Sequence, residues 1–318
     1  MTDSTKLIVS HAPFYRDACT VTERSYLIMA AALAALIPGW FIYGAQAVGV
    51  SALAIASAIF WELAVNTLMK ENPTIGDGNA AMVGLIFSML LPATAPWWMV
   101  LTGTFVAIIM AKTAFGGIGG NPFSPPTLAA AVMMVSWPKL MNFNAMLTEI
   151  DRPFTMADPL VSVKFFGAEM ASQYSPFELL MGHQAGGIGA VCGLGLIIGG
   201  IFLMIRGINR WEISLSFLAG VFVCALLFNL SDADTYAGPL FHLLTGYTLV
   251  AAFFLATEDA SSPTRPIPML IYGFGGGVLT VLIRNIGAWV DGALFAVLLM
   301  NLANPILDMI RPKALGKV

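Results

Sequence analysis

Long apolar runs recur along almost the whole chain, and this recurrence leaves few folds open. Segments 25–43, 45–69, 79–92, 97–113, 127–137, 187–205, 214–230, 239–257, 268–283 and 292–309 are each dominated by Ala, Leu, Ile, Val, Phe, Met and Gly. About 20 such residues wound as an α-helix cross the hydrocarbon core of a bilayer. The helix is required because no water is present there to satisfy backbone N–H and C=O groups. With 58% hydrophobic and only 10% charged residues in 318, and a mean hydropathy of +0.82, a soluble domain is excluded. The expected fold is therefore all-α and polytopic, with about ten transmembrane helices. Residues 1–24 are polar and of mixed charge, unlike the basic, apolar and small-residue regions of a secretory signal. Membrane lipid is the surrounding solvent, and a net charge of −3 gives no indication of a nucleic-acid partner.

Two of the runs, 79–92 and 127–137, are too short for an upright helix to cross. Short, Gly/Pro-interrupted spans are the sequence form of broken helices, which line binding sites in membrane proteins. Placing the N-terminus in the cytoplasm puts Lys6, Arg16, Arg24, Lys70, Lys112, Arg206, Arg210, Arg265, Arg311, Lys313 and Lys317 on that side. It leaves Lys139, Arg152, Lys164 and Arg284 outside, the asymmetry expected for cytoplasmic termini. The chain then divides into a cytoplasmic segment 1–24, a first five-helix repeat 25–138, an external loop 139–186, a second repeat 187–310 and a cytoplasmic tail 311–318. Five spans per half force the halves into opposite orientation, an inverted repeat. Two short similarities support it. Lys112-Thr-Ala-Phe-Gly-Gly and Arg284-Asn-Ile-Gly-Ala each close a span with a base and a glycine turn, and Gly76-Asp77-Gly78 resembles Val290-Asp291-Gly292.

Within this frame a few residues stand out. Gly116, Gly117 and Gly119 of Phe115-Gly-Gly-Ile-Gly-Gly-Asn-Pro, followed by Asn121 and Pro122, form a glycine-rich loop. Successive glycine amides can nest an anion, but the Lys-Ser/Thr of a Walker loop is missing. Close helix approach beside a cavity is the better reading. Asp77, next to Gly78, has the position of a helix cap, with a ligand or cation role as the rival. Glu62, one turn from Asn66, is an ionisable group inside a span and hence a candidate for an ion pathway, with snorkelling to the interface as the alternative. His242 reads as a satisfied packing residue. The tryptophans near span ends, among them Trp40, Trp97, Trp98, Trp137 and Trp289, read as interfacial anchors. Thr257 and Asp259, in a turn that also holds Glu258, three hydroxyls and Arg265, could hold a small polar ligand. Cys19, Cys192 and Cys224 are too dispersed for a disulfide framework, metal site or iron–sulfur site.

Several strings occur in one order: Gly76-Asp-Gly-Asn-Ala-Ala-Met-Val-Gly84, Phe115-Gly-Gly-Ile-Gly-Gly-Asn-Pro-Phe123, Phe254-Leu-Ala-Thr-Glu-Asp259 with Ser261-Ser-Pro-Thr264, and Ile283-Arg-Asn-Ile-Gly287 followed by Asp291 to Asn301. With them the chain resembles the family of membrane subunits that includes RnfD of the Rnf complex and NqrB of the sodium-pumping NADH:quinone oxidoreductase. Its short N-terminal segment is more similar to RnfD. The resemblance implies a ten-helix subunit in a bacterial inner (cytoplasmic) membrane, working with other Rnf subunits to couple electron transfer between ferredoxin and NAD(H) to Na+ or H+ movement.

The resemblance also implies flavins: riboflavin or a related flavin in the membrane part, and FMN bound through its phosphate to an outer-loop threonine. The matching stretch here is Thr155-Met-Ala-Asp158-Pro-Leu. Thr155 keeps the frame, but Asp158 occupies the acceptor position. A carboxylate repels the flavin phosphate and offers no stable ester, so covalent FMN is expected to be absent, leaving non-covalent flavin or none. The chain itself shows no catalytic triad, nucleophile or metal cluster, and its part is positioning and electrostatics around a cofactor. The rival reading is a stand-alone inverted-repeat transporter or channel, which needs neither redox partners nor flavin.

Overall fold

The computed structural model describes residues 20–70, 74–145 and 157–310, and among these it contains helices and loops but no strand. In the first half, α1 (Val21–Tyr43) opens on a capping box in which Thr20 and Glu23 satisfy each other's backbone amides. After Gly44 the chain continues as α2 (Ala45–Met69), α3 (Asn79–Leu90), α4 (Trp97–Phe105) and α5 (Pro125–Ser136). Helix α4 runs on as a π-helix, Val106–Lys112. The connecting loop carries α6 (Pro159–Phe166) and α7 (Pro176–Met181). The second half comprises α8 (Gly193–Ile205), α9 (Trp211–Ser231), α10 (Pro239–Leu244), α11 (Thr248–Val250) with its π-helical continuation Ala251–Leu255, α12 (Pro266–Asn285) and α13 (Ala293–Leu307).

Helix lengths are compatible with a five-plus-five pairing of the apolar runs. Spans one, two, four, seven and nine are long and apolar enough to cross a membrane, whereas α3, α5, α8 and α13 are shorter. Pairing each span with the one five later matches long with long (two and seven, four and nine) and short or broken with short (three and eight, five and ten). Only α1 and α8 differ in length. The halves meet where α1 packs on α8 and α5 packs on α13. Within the second half, α9 and α12 approach closely because a Cβ at Gly277 would stand 2.1 Å from the Phe217 carbonyl oxygen.

Two spans are less regular than their apolarity suggests. The sixth becomes helical only at Gly193; before it, buried irregular backbone bonds to the end of α3, Ile188 N to Leu91 O at 3.0 Å and Gly189 N to Met89 O at 3.1 Å. The eighth is broken at 245–247, between α10 and α11. Tyr247 donates its hydroxyl to Leu90 O at 2.6 Å, and the Tyr43 hydroxyl donates to Gly186 O while accepting from Gly186 N. These bonds replace the water that unwound backbone would otherwise need at this depth. The end of the molecule holding Thr20 and Ile310 is called the terminal face below, and the end holding α6 and α7 the loop face.

Candidate functional site: a cavity between the repeats and two buried ion pairs

A cavity opens on the terminal face where the two halves meet. Its inner wall is apolar, with Ile28, Met82, Val83, Ile86, Phe253 and Phe254 prominent. Its polar lining includes Arg24, Asn79, Lys112, Asn121, Asn209, Thr257, Glu258 and Asp259. Both π-helices flank it. A π turn shifts backbone carbonyls out of register, and such turns concentrate at functional sites. The freed Phe253 carbonyl accepts from Asn209 Nδ2 at 2.5 Å and from Thr257 Oγ1 at 2.9 Å, while Thr113 Oγ1 donates to Ile108 O in the other π-helix.

The rim joins the halves through polar contacts. Asn121 Nδ2 donates to Glu258 Oε1 at 2.8 Å, and Ser261 Oγ donates to Glu258 Oε2. Burial pushes the Glu258 carboxyl above its usual range, against these donors. Arg24 pairs with Asp259 at 2.6 Å and also donates to Ile208 O. Burial also raises Asp259, with Arg24 and Arg210 opposing.

The glycine loop is placed differently from expectation. Gly116, Gly117 and Gly119 adopt positive φ (100°, 90° and 87°), and the loop lies largely exposed on the terminal face rather than unwound at depth. Of the residues singled out there, Gly119 and Asn121 reach the cavity, together with Ile118; Gly116, Gly117 and Pro122 do not. Asp77 and Gly78 also lie outside the lining. Asp77 Oδ1 accepts from Asn79 N at 2.8 Å, an Asx-turn just before α3, whose N-cap position is taken by Gly78 instead of the expected Asp77. Thr257 and Asp259 are both in the lining. Thr155 falls outside the described residues, as do most of 1–24 and all of 311–318.

Glu62 does not snorkel. It is buried, and Lys112 Nζ meets its Oε1 at 2.7 Å with the two side chains 6% and 5% exposed. Thr74 Oγ1 donates to the same oxygen and accepts from Asn66 Nδ2, so Asn66 joins the cluster indirectly. Oε2 of Glu62 has no hydrogen-bond partner among the described residues. Lys112, counted from sequence among the cytoplasmic loop charges, is the residue that reading missed. Only its position at the end of an apolar run hinted at burial, and its partner lies fifty positions away.

A second buried pair sits toward the loop face. Arg284 Nη2 and Nε reach Asp291 Oδ1 at 2.9 and 3.2 Å. The other Arg284 hydrogen bonds go to His242 O and Thr245 O, and Asp291 Oδ2 accepts from Tyr247 N. The pair therefore bonds the free backbone groups of the broken eighth span. Beside it His242 is buried as expected, but neither ring nitrogen has a partner among the described residues. The expectation of a satisfied histidine is corrected on that point. Asp158 lies close by, its Oδ1 accepting from Leu160 N at 3.0 Å, which makes it the cap of α6. Burial pushes its carboxyl up to about 7, with Asp291 adding to the rise.

Residues 8–316 match the NQR2, RnfD, RnfE family. The chain belongs to that family. It is 32% identical over 304 residues to the D subunit of the Na(+)-translocating ferredoxin:NAD(+) oxidoreductase complex of Acetobacterium woodii, an alignment covering 95% of this chain and 92% of that protein. It is 36% identical over 317 residues to the D subunit of the ion-translocating oxidoreductase complex of Pseudomonas paraeruginosa, covering 92% of each. Identity to the same-named protein of Cronobacter sakazakii is 32% over 344 residues, covering 97% of this chain and 98% of that one. In this family member the ordered motifs fall into distinct places: Asn121 and Thr257 to Asp259 at the cavity, and Arg284 with Asp291 at the loop-face pair.

Proposed function

We propose that the chain is the D-type membrane subunit of an ion-translocating oxidoreductase complex, working with the other subunits to couple ferredoxin/NAD(H) electron transfer to Na+ or H+ movement. The supporting observation is the cavity between the repeats in a chain that aligns over nearly its full length with proteins of that name. The terminal face is read as cytoplasmic, in a bacterial inner membrane.

The cavity is assigned to a flavin, riboflavin or non-covalent FMN. The lining fits such a group, because an isoalloxazine has apolar faces and a polar edge. Phe253, Phe254, Val83 and Ile86 suit the faces, and the side-chain amides of Asn79 and Asn121 suit the edge. The cavity measures about 160 Å³, below the ~300 Å³ at which ligand pockets usually begin. A flavin held there therefore extends through the mouth past Arg24 and Asp259. When bound, it supplies one- and two-electron transfer; the chain's residues orient it and exclude water. The cation route is assigned to Glu62 and Asn66, where a buried carboxylate oxygen has no hydrogen-bond partner among the described residues.

Asp158 at the acceptor position, already engaged in capping α6, carries no covalent FMN. In-gel ultraviolet fluorescence of the denatured chain tests this: no flavin band is expected at its mass, and a band would overturn it. Native purification tests the wider reading. Co-purification with redox subunits and a released, non-covalent flavin is expected, whereas a lone oligomer that moves solute would restore the transporter reading. Within a purified complex, Asn121→Ala is expected to lower flavin content while leaving the chain assembled.

A further inference from the structure

Helix α6 is held at three places: the end of α12 with the loop after it, the break of the eighth span, and the loop that precedes α6. Lys164 Nζ donates to the carbonyls of Arg284, Gly287 and Trp289 at 3.2, 2.7 and 2.5 Å, closing the end of α12 and the loop after it. Leu160 reaches Gly246, at the break itself: a Cβ on Gly246 would stand 2.6 Å from Leu160 Cδ1, 2.3 Å from Asp291 Oδ2 and 2.9 Å from Arg284 Nη2. At its start, Asp158 caps Leu160 N and donates its own amide to Asn144 Oδ1 at 2.7 Å. Helix, broken span and ion pair thus converge on one glycine.

We propose that α6 is a lid over the loop-face end of the broken eighth span, and that its seating is set by the protonation of Asp158. The groups facing that carboxyl are Asp291 and Arg284 from the α12–α13 region and Tyr247 from the eighth span, with His242 behind Arg284. On the loop itself Tyr174 bonds Ser162, while Lys164 is turned to the carbonyls of Arg284, Gly287 and Trp289. Arg284 is already matched by Asp291, so an ionised Asp158 is an extra buried negative charge, whereas the protonated acid is neutral and keeps its capping oxygen.

The sign follows from linkage. Seated, the carboxyl holds its proton up to about 7; with α6 lifted into water it returns to an ordinary value of about 3.9. The seated form then binds the proton more tightly. Seating is at full strength below the ordinary value and weakens as pH rises toward and through 7. Between pH 6 and pH 8 the seating equilibrium is expected to fall about tenfold. On the reading given above, this face looks away from the cytoplasm, so the lid would respond to the outside pH; the lid itself rests only on the contacts described.

Hydrogen exchange on the intact complex in lipid nanodiscs, corrected for the intrinsic pH dependence of exchange, tests this without reference to flavin or transport. Protection of residues 160–166 is expected to drop about tenfold from pH 6 to pH 8 in the native protein, while α9 stays unchanged as an internal control of the fold. Asp158→Asn and Asp158→Thr, both still able to cap a helix, are expected to abolish that drop. Lys164→Met is expected to lower protection at both pH values. Protection that does not change with pH in the native protein, or an equal drop in both Asp158 variants, would overturn the proposal.

Discussion

The two buried ion pairs have the same chemistry and opposite completeness. At the loop face, Arg284 and Asp291 spend their hydrogen-bonding capacity on each other and on backbone at 242, 245, 247 and 293. At the other pair, among the described residues, the Lys112 ammonium bonds Glu62, and Glu62 Oε2 has no hydrogen-bond partner, while Lys112 borders the cavity. A buried charge is costly unless its bonds are met. The first pair therefore reads as a clamp that lets a span be broken inside the membrane. The second retains unused capacity next to space, which suits a group that exchanges partners.

Removing half of the clamp should give the largest effect. Asp291→Ala leaves Arg284 charged, buried and unpaired, a loss on the order of 3–5 kcal/mol. The expected outcome is little assembled complex in membranes and a large fall in thermal stability. Normal assembly would break the comparison by showing that the pair is dispensable.

Gly246→Ala comes next, because it leaves the charges in place but forces Asp291 and Leu160 aside at a backbone φ of +63°. Overpacking costs about 1–3 kcal/mol, and the left-handed conformation adds about 1 kcal/mol for a residue with a Cβ. A thermal melt of the complex checks the sum, which should fall between the Asp291 result and that of any change at the inner pair.

Glu62→Gln sharpens the other side. It preserves shape and the contact with Thr74, and Lys112 can turn toward the cavity, so a stability loss of only about 1 kcal/mol is expected. Cation uptake by reconstituted vesicles should be lost while the complex remains assembled. Retained uptake would remove Glu62 from the proposed route. Arg24→Ala, at the exposed rim pair with Asp259, should be the smallest change. Such pairs contribute about 0–1 kcal/mol, and its melting temperature should be nearly that of the native protein.

Much of the architecture was legible from the chain. The all-helical, multi-span character and the shortness of the third and fifth runs came from apolar runs and glycine or proline interruptions. A local role for Asp77 at the start of α3 came from an acidic residue placed before a helix, though the cap position itself fell to Gly78. The broken eighth span was not legible, because a single Gly246 in an otherwise apolar run looks like a helix glycine that packs closely. The cavity was half legible: Asn121, Thr257 and Asp259 were found through the loops that carry them. Asn79, Asn209 and Lys112 were not, since nothing in their immediate neighbours distinguishes a cavity wall from a loop end. Asp158 was seen as a departure from an expected threonine; that it caps α6 and lies against Arg284 and Asp291 required the fold.

The division has a physical cause. Whether a segment enters the bilayer depends on the transfer free energy of its own residues, a local sum that the sequence contains in full, and so the membrane fold was determined by the chain alone. Whether a charge inside that fold is a clamp or a movable group depends on which distant atoms come within hydrogen-bond reach, since electrostatic interaction grows with proximity and with the exclusion of water. That was decided only by the packing that brings Glu62 to Lys112 and α6 onto Gly246.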